Sequence, residues 1–181
     1  MINLYKAIRM KTILTADEIQ LIIKRLALQL IETASAENEI TIIGLQPRGV
    51  LFSDKIIECI QQLSDCKVNY GKLDITFYRD DIRDNLHIAT ETSMPFSIEG
   101  KSIIIVDDVL FTGRTIRASL DALLAFGRPA KVELCVLIDR KLCREFPIHP
   151  DYTGRAIETL TGEKVKVLWQ EIDGDHKVII P

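Results

Sequence analysis

The sequence predicts an α/β protein with a central, mostly parallel sheet flanked by helices. Short runs of strand-forming apolar residues alternate along the chain with segments in which apolar residues recur at helical spacing. One such run, residues 103–106 (Ile-Ile-Ile-Val), is apolar at every position, which is typical of a strand buried on both faces of a parallel sheet. Ligands of such sheets bind at the carboxyl ends of the strands.

The first helix is predicted to follow Thr15 and to run to about Ala34. Thr15 and Glu18 have the spacing of a capping box, in which each side chain bonds the backbone N–H of the other residue. Apolar residues then recur at every third or fourth position, which indicates one buried face.

The remaining elements are predicted from the same two kinds of pattern and from the length of the segment between them. They are a strand at residues 40–45, a turn at 46–49, a helix at 50–63, a strand at 68–78, a long binding loop or lid at 82–98, a strand at 101–107, a helix at 116–126, a strand at 132–139, and short strands at 165–169 and 178–180.

Composition narrows the class of protein. The chain has 181 residues, of which 47% are hydrophobic and 27% charged, the balance of one globular domain with a sizeable core. The formal charge is −3, with 23 Lys and Arg against 26 Asp and Glu. A broadly basic nucleic-acid binder is therefore excluded, but a local basic patch is not.

The sequence also predicts the compartment. No apolar run reaches the roughly 18–20 residues of a membrane span, and no secretory signal precedes the first helix. The four cysteines have no metal-ligand spacing. We expect buried thiols of a cytoplasmic protein, with disulfides as the alternative.

The chemistry is predicted at the end of the strand at 101–107. That strand delivers Asp107 and Asp108, and the turn Thr112-Gly113-Arg114-Thr115 follows and opens a helix. Unpaired N–H groups at a helix N-terminus suit a phosphate, and Gly113 lets the backbone approach it closely. A site that holds a phosphate about one turn away from two carboxylates suits a phosphorylated sugar, whose hydroxyls the acids would bind.

Other phosphate sites fit less well. A Walker loop needs G-x-x-x-x-G-K-[ST] and a dinucleotide site needs G-x-G-x-x-G, and neither pattern is present. The remaining alternative is an acidic strand end followed by an ordinary helix cap.

The segment at 106–115 resembles the phosphoribosyl pyrophosphate (PRPP) motif of type I phosphoribosyltransferases. The similarity narrows to the PyrR family, the bifunctional pyr-operon attenuators and uracil phosphoribosyltransferases, and it extends from about Ile13 to Ile180. It rests on further segments at 73–81, 123–129, 136–140, 144–148, 151–154 and 163–165. The resemblance implies a type I phosphoribosyltransferase fold, with residues 1–181 as one domain and a small hood built from parts of 1–20 and 140–181.

The resemblance also implies roles for particular residues. Asp107 and Asp108, which would hold the ribose hydroxyls, and Arg79, in the closing loop, would be catalytic. Asp139 and Arg140 would contact the nucleobase. PRPP would be bound by the acid pair together with Arg48, Gly49, Val109, Leu110, Phe111, Thr112, Gly113, Arg114 and Thr115.

The implied reaction is uracil plus PRPP to UMP and pyrophosphate. Mg²⁺ would be bound through PRPP and pyrophosphate, with no metal assigned to protein side chains. Phe111 cannot take a proton where some purine-salvage relatives carry an Asp, which favours a pyrimidine. The alternatives are a UMP-responsive RNA-binding regulator with little catalysis and a purine phosphoribosyltransferase.

Further partners are implied by the same resemblance. Family members form dimers and higher assemblies, so we expect a homo-oligomer. A patch for the pyr leader RNA would draw on five basic residues, with solvated surface charges as the competing interpretation. The five are Lys24, Arg25, Arg144, His149 and Arg155.

The chain departs from the family at the pyrophosphate turn. It has Gln46-Pro47 where relatives have Lys or Arg followed by Thr, so one cation for pyrophosphate is missing. Relatives often hold a cis peptide in this turn, and a proline lowers the free-energy cost of one.

Overall fold

The structure is a computed structural model that describes residues 10–34, 38–79, 91–160 and 162–181. Its elements alternate as the sequence predicts. They are β1 (Lys11–Leu14), α1 (Ala16–Glu32), β2 (Glu39–Leu45), α2 (Arg48–Leu63), β3 (Lys67–Leu73), a 3-10 helix (Thr76–Tyr78), β4 (Ser102–Leu110), α3 (Arg114–Leu123), β5 (Lys131–Lys141), β6 (Tyr152–Glu158), β7 (Lys166–Leu168), α4 (Gln170–Asp173) and β8 (Lys177–Ile180).

Five strands form the central sheet in the order β3-β2-β4-β5-β6, and every neighbouring pair is parallel. The predicted parallel α/β sheet is confirmed. β4 lies in the middle, and its apolar run is buried on both faces. The carboxyl ends of β2, β4 and β5 therefore meet at one edge of the sheet, where ligands are expected.

The helices cover both faces of the sheet. α1 begins at the predicted capping box, in which the Thr15 N–H donates to Glu18 Oε2 at 2.9 Å. Ile104 and Val106 of β4 share a core cluster with α1 and α2. Ile103 and Ile105 share a second cluster with α3. Alternate side chains of one central strand thus anchor the two layers of helix.

A second, smaller sheet is antiparallel and has the order β1-β8-β7. Its strands fall within the ranges expected to build the hood, and we use that name for this sheet together with α4. Trp169 docks the hood on the body: its ring is fully buried and lies 6.1 Å from the Phe52 ring of α2, centroid to centroid. The assignment of the whole chain to one domain stays a prediction.

Several boundaries differ from the predicted ones. The strand expected at 68–78 ends at Leu73, because the Asp74 carboxylate accepts the Thr76 N–H at 2.6 Å and turns the chain into the 3-10 helix. β6 was not predicted, since it is an edge strand without an apolar run. Residues 80–90 of the expected lid lie outside the described residues.

Two further findings concern the cysteines and the helices. All four cysteines have free thiols, which agrees with the interpretation without disulfides. Within the described ranges, no helix has both the length and the apolar composition needed to cross a membrane.

Candidate active site

The acid pair is buried inside β4 and does not follow it. Asp107 and Asp108 are each 8% exposed, whereas the sequence placed them at the open end of a strand that stopped at 107. The Asp108 N–H donates to Asp107 Oδ1 at 2.9 Å.

Burial sets the protonation of both acids. Loss of hydration raises the pKa of Asp107 well above its usual value, and the neighbouring Asp108 raises it further, while the charge of Arg79 opposes the rise. Burial raises the pKa of Asp108 to about 6, and the charge of Arg48 opposes it. Each acid therefore has one cation near it, and both carboxylates favour hydrogen-bond donors such as sugar hydroxyls.

A cavity of about 300 Å³ joins one acid to the predicted phosphate turn. Gly113 precedes α3 at φ +92°, a conformation that favours glycine, and no side chain caps the helix there. A glycine has no side chain that could cap the helix, and the Arg114 N–H donates instead to Thr112 Oγ1 at 3.4 Å. The cavity is lined by Arg79, Asp107, Val109, Leu110, Phe111, Thr112, Gly113, Arg114, Thr115, Ile116 and Glu145.

Glu145 is a cavity residue that the sequence did not indicate. Arg114 Nε donates to Glu145 Oε2 at 2.7 Å, so the charge of Arg114 is balanced at the rim. The backbone N–H groups of Glu145 and Phe146 donate to the Thr112 carbonyl at 2.9 and 3.1 Å. The segment after β5 is thereby fastened to the phosphate turn, a long-range contact that no local sequence pattern reveals.

The predicted pyrophosphate turn lies at the start of α2. The Gln46–Pro47 peptide bond is cis. Gly49 packs directly against β4: a Cβ there would lie 2.5 Å from the Val106 carbonyl oxygen and 3.1 Å from Asp107 Cα. Only glycine permits this approach, which brings the turn against the acid pair.

Arg48, the expected pyrophosphate contact, is bound to the hood. Its two Nη atoms donate to the two carboxylate oxygens of Asp173 at 3.0 and 3.1 Å, and Nη1 also donates to the Val167 carbonyl at 2.6 Å. Asp173 was not predicted as a site residue, because its partner lies 125 positions away. Pyrophosphate would have to compete with this carboxylate for Arg48.

The expected base contacts lie at the carboxyl end of β5 and are buried. The guanidinium of Arg140 lies 3.9 Å from the centroid of the Phe111 ring, a cation–π contact. It also donates to Thr159 Oγ1 at 2.9 Å. The Asp139 carboxylate pairs with Arg144 and, at 2.5 Å, with Lys141.

The five basic residues expected to contact RNA have different surroundings. Arg25 Nη2 donates to the carbonyls of Thr153 and Gly154 at 2.9 and 2.7 Å, and Arg155 lies 3.8 Å from Glu18. Lys24 lines a cavity between α1 and α2, and His149 is exposed. Arg144 differs most from the expectation, because its side chain is 16% exposed and is bonded within the protein.

Comparison with known proteins agrees with this geometry. The family model for the phosphoribosyl transferase domain matches residues 10–171. A bifunctional protein PyrR of Microcystis aeruginosa is 48% identical over 92% of this chain and 94% of its own length. One from Enterococcus faecalis is 41% identical over 94% and 96%.

A solved structure extends the comparison to the fold. A hypoxanthine phosphoribosyl transferase of Trypanosoma cruzi superposes with a TM-score of 0.72 at 18% identity, covering 94% of this chain and 91% of that one. At this identity the likeness concerns the fold, and it confirms the type I phosphoribosyltransferase fold.

Proposed function

Because the chain belongs to the PyrR family of phosphoribosyltransferases, we propose that it transfers the phosphoribosyl group of PRPP to uracil, giving UMP and pyrophosphate. The chain is a pentosyltransferase enzyme. Within that class, the proposal assigns the acceptor base and the residues that carry the transfer.

One observation carries the assignment of the site. Asp107, Arg79 and the phosphate turn at 112–115 line one cavity at the carboxyl end of the central strand. A 5′-phosphate on the N–H groups that open α3 would place the ribose hydroxyls toward the acid pair. The phosphate and the sugar of one ligand are thus served by consecutive parts of one strand–turn–helix unit.

The chain's own residues would act by orientation and charge. The carboxylates of Asp107 and Asp108 would accept hydrogen bonds from the ribose hydroxyls and favour the positive charge that develops on the sugar as pyrophosphate leaves. Arg79 would add a cation near the leaving group. Arg48 would do the same once pyrophosphate displaces Asp173 from it.

We expect a divalent cation to bind at this site through the phosphate oxygens of the substrate. Among the described residues no group of three or more His, Cys, Asp or Glu side chains could hold a metal ion. Mg²⁺ commonly takes one or two carboxylates plus phosphate oxygens, and Asp107 and Asp108 are the carboxylates suited to it here. When bound with pyrophosphate, Mg²⁺ would neutralise charge on the leaving group.

The test is pyrophosphate release from PRPP with Mg²⁺, in the presence and absence of uracil. We expect uracil-dependent release that is nearly abolished by Asp107→Asn combined with Asp108→Asn, because both carboxylates are lost while side-chain volume is kept. Circular dichroism checks that the double variant folds. Wild-type kinetics in that variant would contradict the roles assigned to the acids.

A competition assay with other nucleobases identifies the base that accepts the phosphoribosyl group. Phe111, 44% exposed beside the cavity, offers an apolar ring and no proton acceptor, which supports uracil over purines. Hypoxanthine and guanine at equal concentration should leave UMP formation unchanged. Preferential use of either purine would replace uracil in the proposal.

Binding of the pyr leader RNA is the second proposed function. It is supported by the name "bifunctional" that the relatives carry and by the exposed cations of the surface formed by α1 and β6, Arg155 among them. A titration with leader RNA at several salt concentrations tests it, since phosphate contacts make affinity fall as salt rises. Equal affinity for an unrelated RNA would count against it.

A homo-oligomer and a cytoplasmic location complete the proposal. Four free thiols support a reducing compartment. Sedimentation of the purified chain would give its oligomeric state.

A further inference from the structure

A single guanidinium connects the two ends of the candidate site. Arg144 lies between the carboxyl end of β4 and the carboxyl end of β5, and each of its three nitrogens donates a hydrogen bond. Nε donates to the Ile148 carbonyl at 3.0 Å. The other acceptors are the carbonyls of Arg140 (2.9 Å), Leu110 (3.3 Å) and Phe111, and the Asp139 carboxylate.

The acceptors belong to two different half-sites. Leu110 and Phe111 lead directly into the phosphate turn, whereas Asp139 and Arg140 are the expected base contacts. Leu110 and Asp139 form the last aligned pair between β4 and β5, so the Phe111 carbonyl lies beyond the ladder. Arg144 supplies this carbonyl with the N–H donor that a further residue of a neighbouring strand would otherwise provide.

Phe111 is held from two directions. Arg144 binds its backbone carbonyl, and the Arg140 guanidinium lies over its ring at 3.9 Å. Arg140 lies near the end of β5, and Arg144 follows that strand three residues later. The residue that separates the phosphate turn from β4 is therefore fixed by the same short segment that carries the expected base contacts.

Burial makes this arrangement stiff. The Arg144 side chain is 16% exposed and the Asp139 side chain is fully buried. A buried guanidinium is tolerated because every donor nitrogen is bonded, and its loss would leave carbonyls and part of a carboxylate unsatisfied. Such a group holds its surroundings in one arrangement and is not free to bind a partner's phosphates.

We propose that Arg144 is a positioning residue for the transfer reaction, and that it sets the distance between the 5′-phosphate site and the base site. The inference rests on the proposed function. A nucleotide must occupy both sites at once, so it senses their separation, whereas ribose 5-phosphate needs only the phosphate turn and the acid pair.

The test compares the dissociation constants of UMP and ribose 5-phosphate in Arg144→Lys. A lysine keeps the charge beside Asp139 but cannot span the carbonyls of both strands. We expect the dissociation constant of UMP to rise about tenfold more than that of ribose 5-phosphate, and kcat/KM to fall by about 100-fold, the loss typical of misplacement near 1 Å. Arg144→Gln, neutral but able to donate, is the second variant should the lysine variant not fold.

Arg128→Ala is the matched control, because it removes an exposed arginine just before β5, at the opposite edge of the sheet. It should change neither dissociation constant. Equal weakening of both ligands in the Arg144 variants would mean that Arg144 only supports the phosphate turn, and unchanged binding would mean that it positions nothing; either result overturns the proposal. A wild-type chain without uracil-dependent activity would count against the proposed function itself.

Discussion

Gly49→Ala is expected to reduce stability and activity together. The added Cβ would lie 2.5 Å from the Val106 carbonyl oxygen and 3.1 Å from Asp107 Cα. Both neighbours are backbone atoms of the central strand, so neither can rotate away. Since ordinary contact begins at 3.4 Å, the start of α2 has to move about 0.9 Å from β4.

Two magnitudes follow from that displacement. Overpacking of this kind costs about 1–3 kcal/mol of the free energy of unfolding. Because the contact is at the acid pair, a shift near 1 Å should lower kcat/KM by about 100-fold. Urea unfolding measures the first quantity, and uracil-dependent pyrophosphate release measures the second.

Gly100→Ala is the control for loss of a glycine. Gly100 has φ +67° and nothing within 4 Å of an added Cβ, so its replacement costs about 1 kcal/mol of backbone strain without touching the site. A Gly49→Ala enzyme with wild-type kcat/KM would refute the reasoning. So would an equal loss of activity in Gly100→Ala.

Three further predictions concern charge and hydrogen bonding. Burial raises the pKa of Asp108 to about 6, so the stability that its carboxyl group contributes is fully present below the unfolded pKa and is lost as pH rises through 6. Asp108→Asn should therefore stabilise the ligand-free chain more at pH 8 than at pH 4, as measured by the midpoints of urea unfolding. An equal gain at both pH values would exclude ionisation of Asp108 as the cause. Asp173→Asn should tighten inhibition by pyrophosphate about three- to tenfold, because it releases Arg48 from its ion pair. Glu171→Gln, which breaks the neighbouring ion pair of α4 with Lys55, should leave inhibition unchanged. Weaker inhibition in Asp173→Asn would show that Asp173 helps Arg48 to bind pyrophosphate. Thr112→Val should weaken the binding of ribose 5-phosphate by about 1–3 kcal/mol, because one hydrogen bond to the phosphate is lost. Calorimetry measures this affinity, and a wild-type value would exclude Thr112 from the phosphate site.

Local patterns explain what the sequence could predict. Thr15 and Glu18 form the capping box that their spacing indicates, and the apolar run at 103–106 lies on the central strand. Both signals depend on residues a few positions apart, where spacing alone determines geometry. The turn at 112–115 could be located for the same reason, because strand, turn and helix are consecutive; its binding of a phosphate stays a prediction.

Long-range contacts explain what the sequence could not predict. The partner of Arg48 lies in the hood, and the partners of Arg144 lie on two strands. An arginine that is buried by tertiary bonding has the same appearance in a sequence as one in solvent, so Arg144 was assigned to a surface patch. The edge strand Tyr152–Glu158 was missed because it carries no apolar run.

Trp169 is the sole tryptophan of the chain and gives the protein an intrinsic optical reporter. Its ring is fully buried between Phe52 of α2 and His176 of the hood, 5.4 Å from the latter. Any separation of hood from α2 would expose the indole to water and shift its fluorescence emission to longer wavelength. Stopped-flow fluorescence on the unlabelled enzyme would therefore report whether the hood separates from α2 when substrates are added.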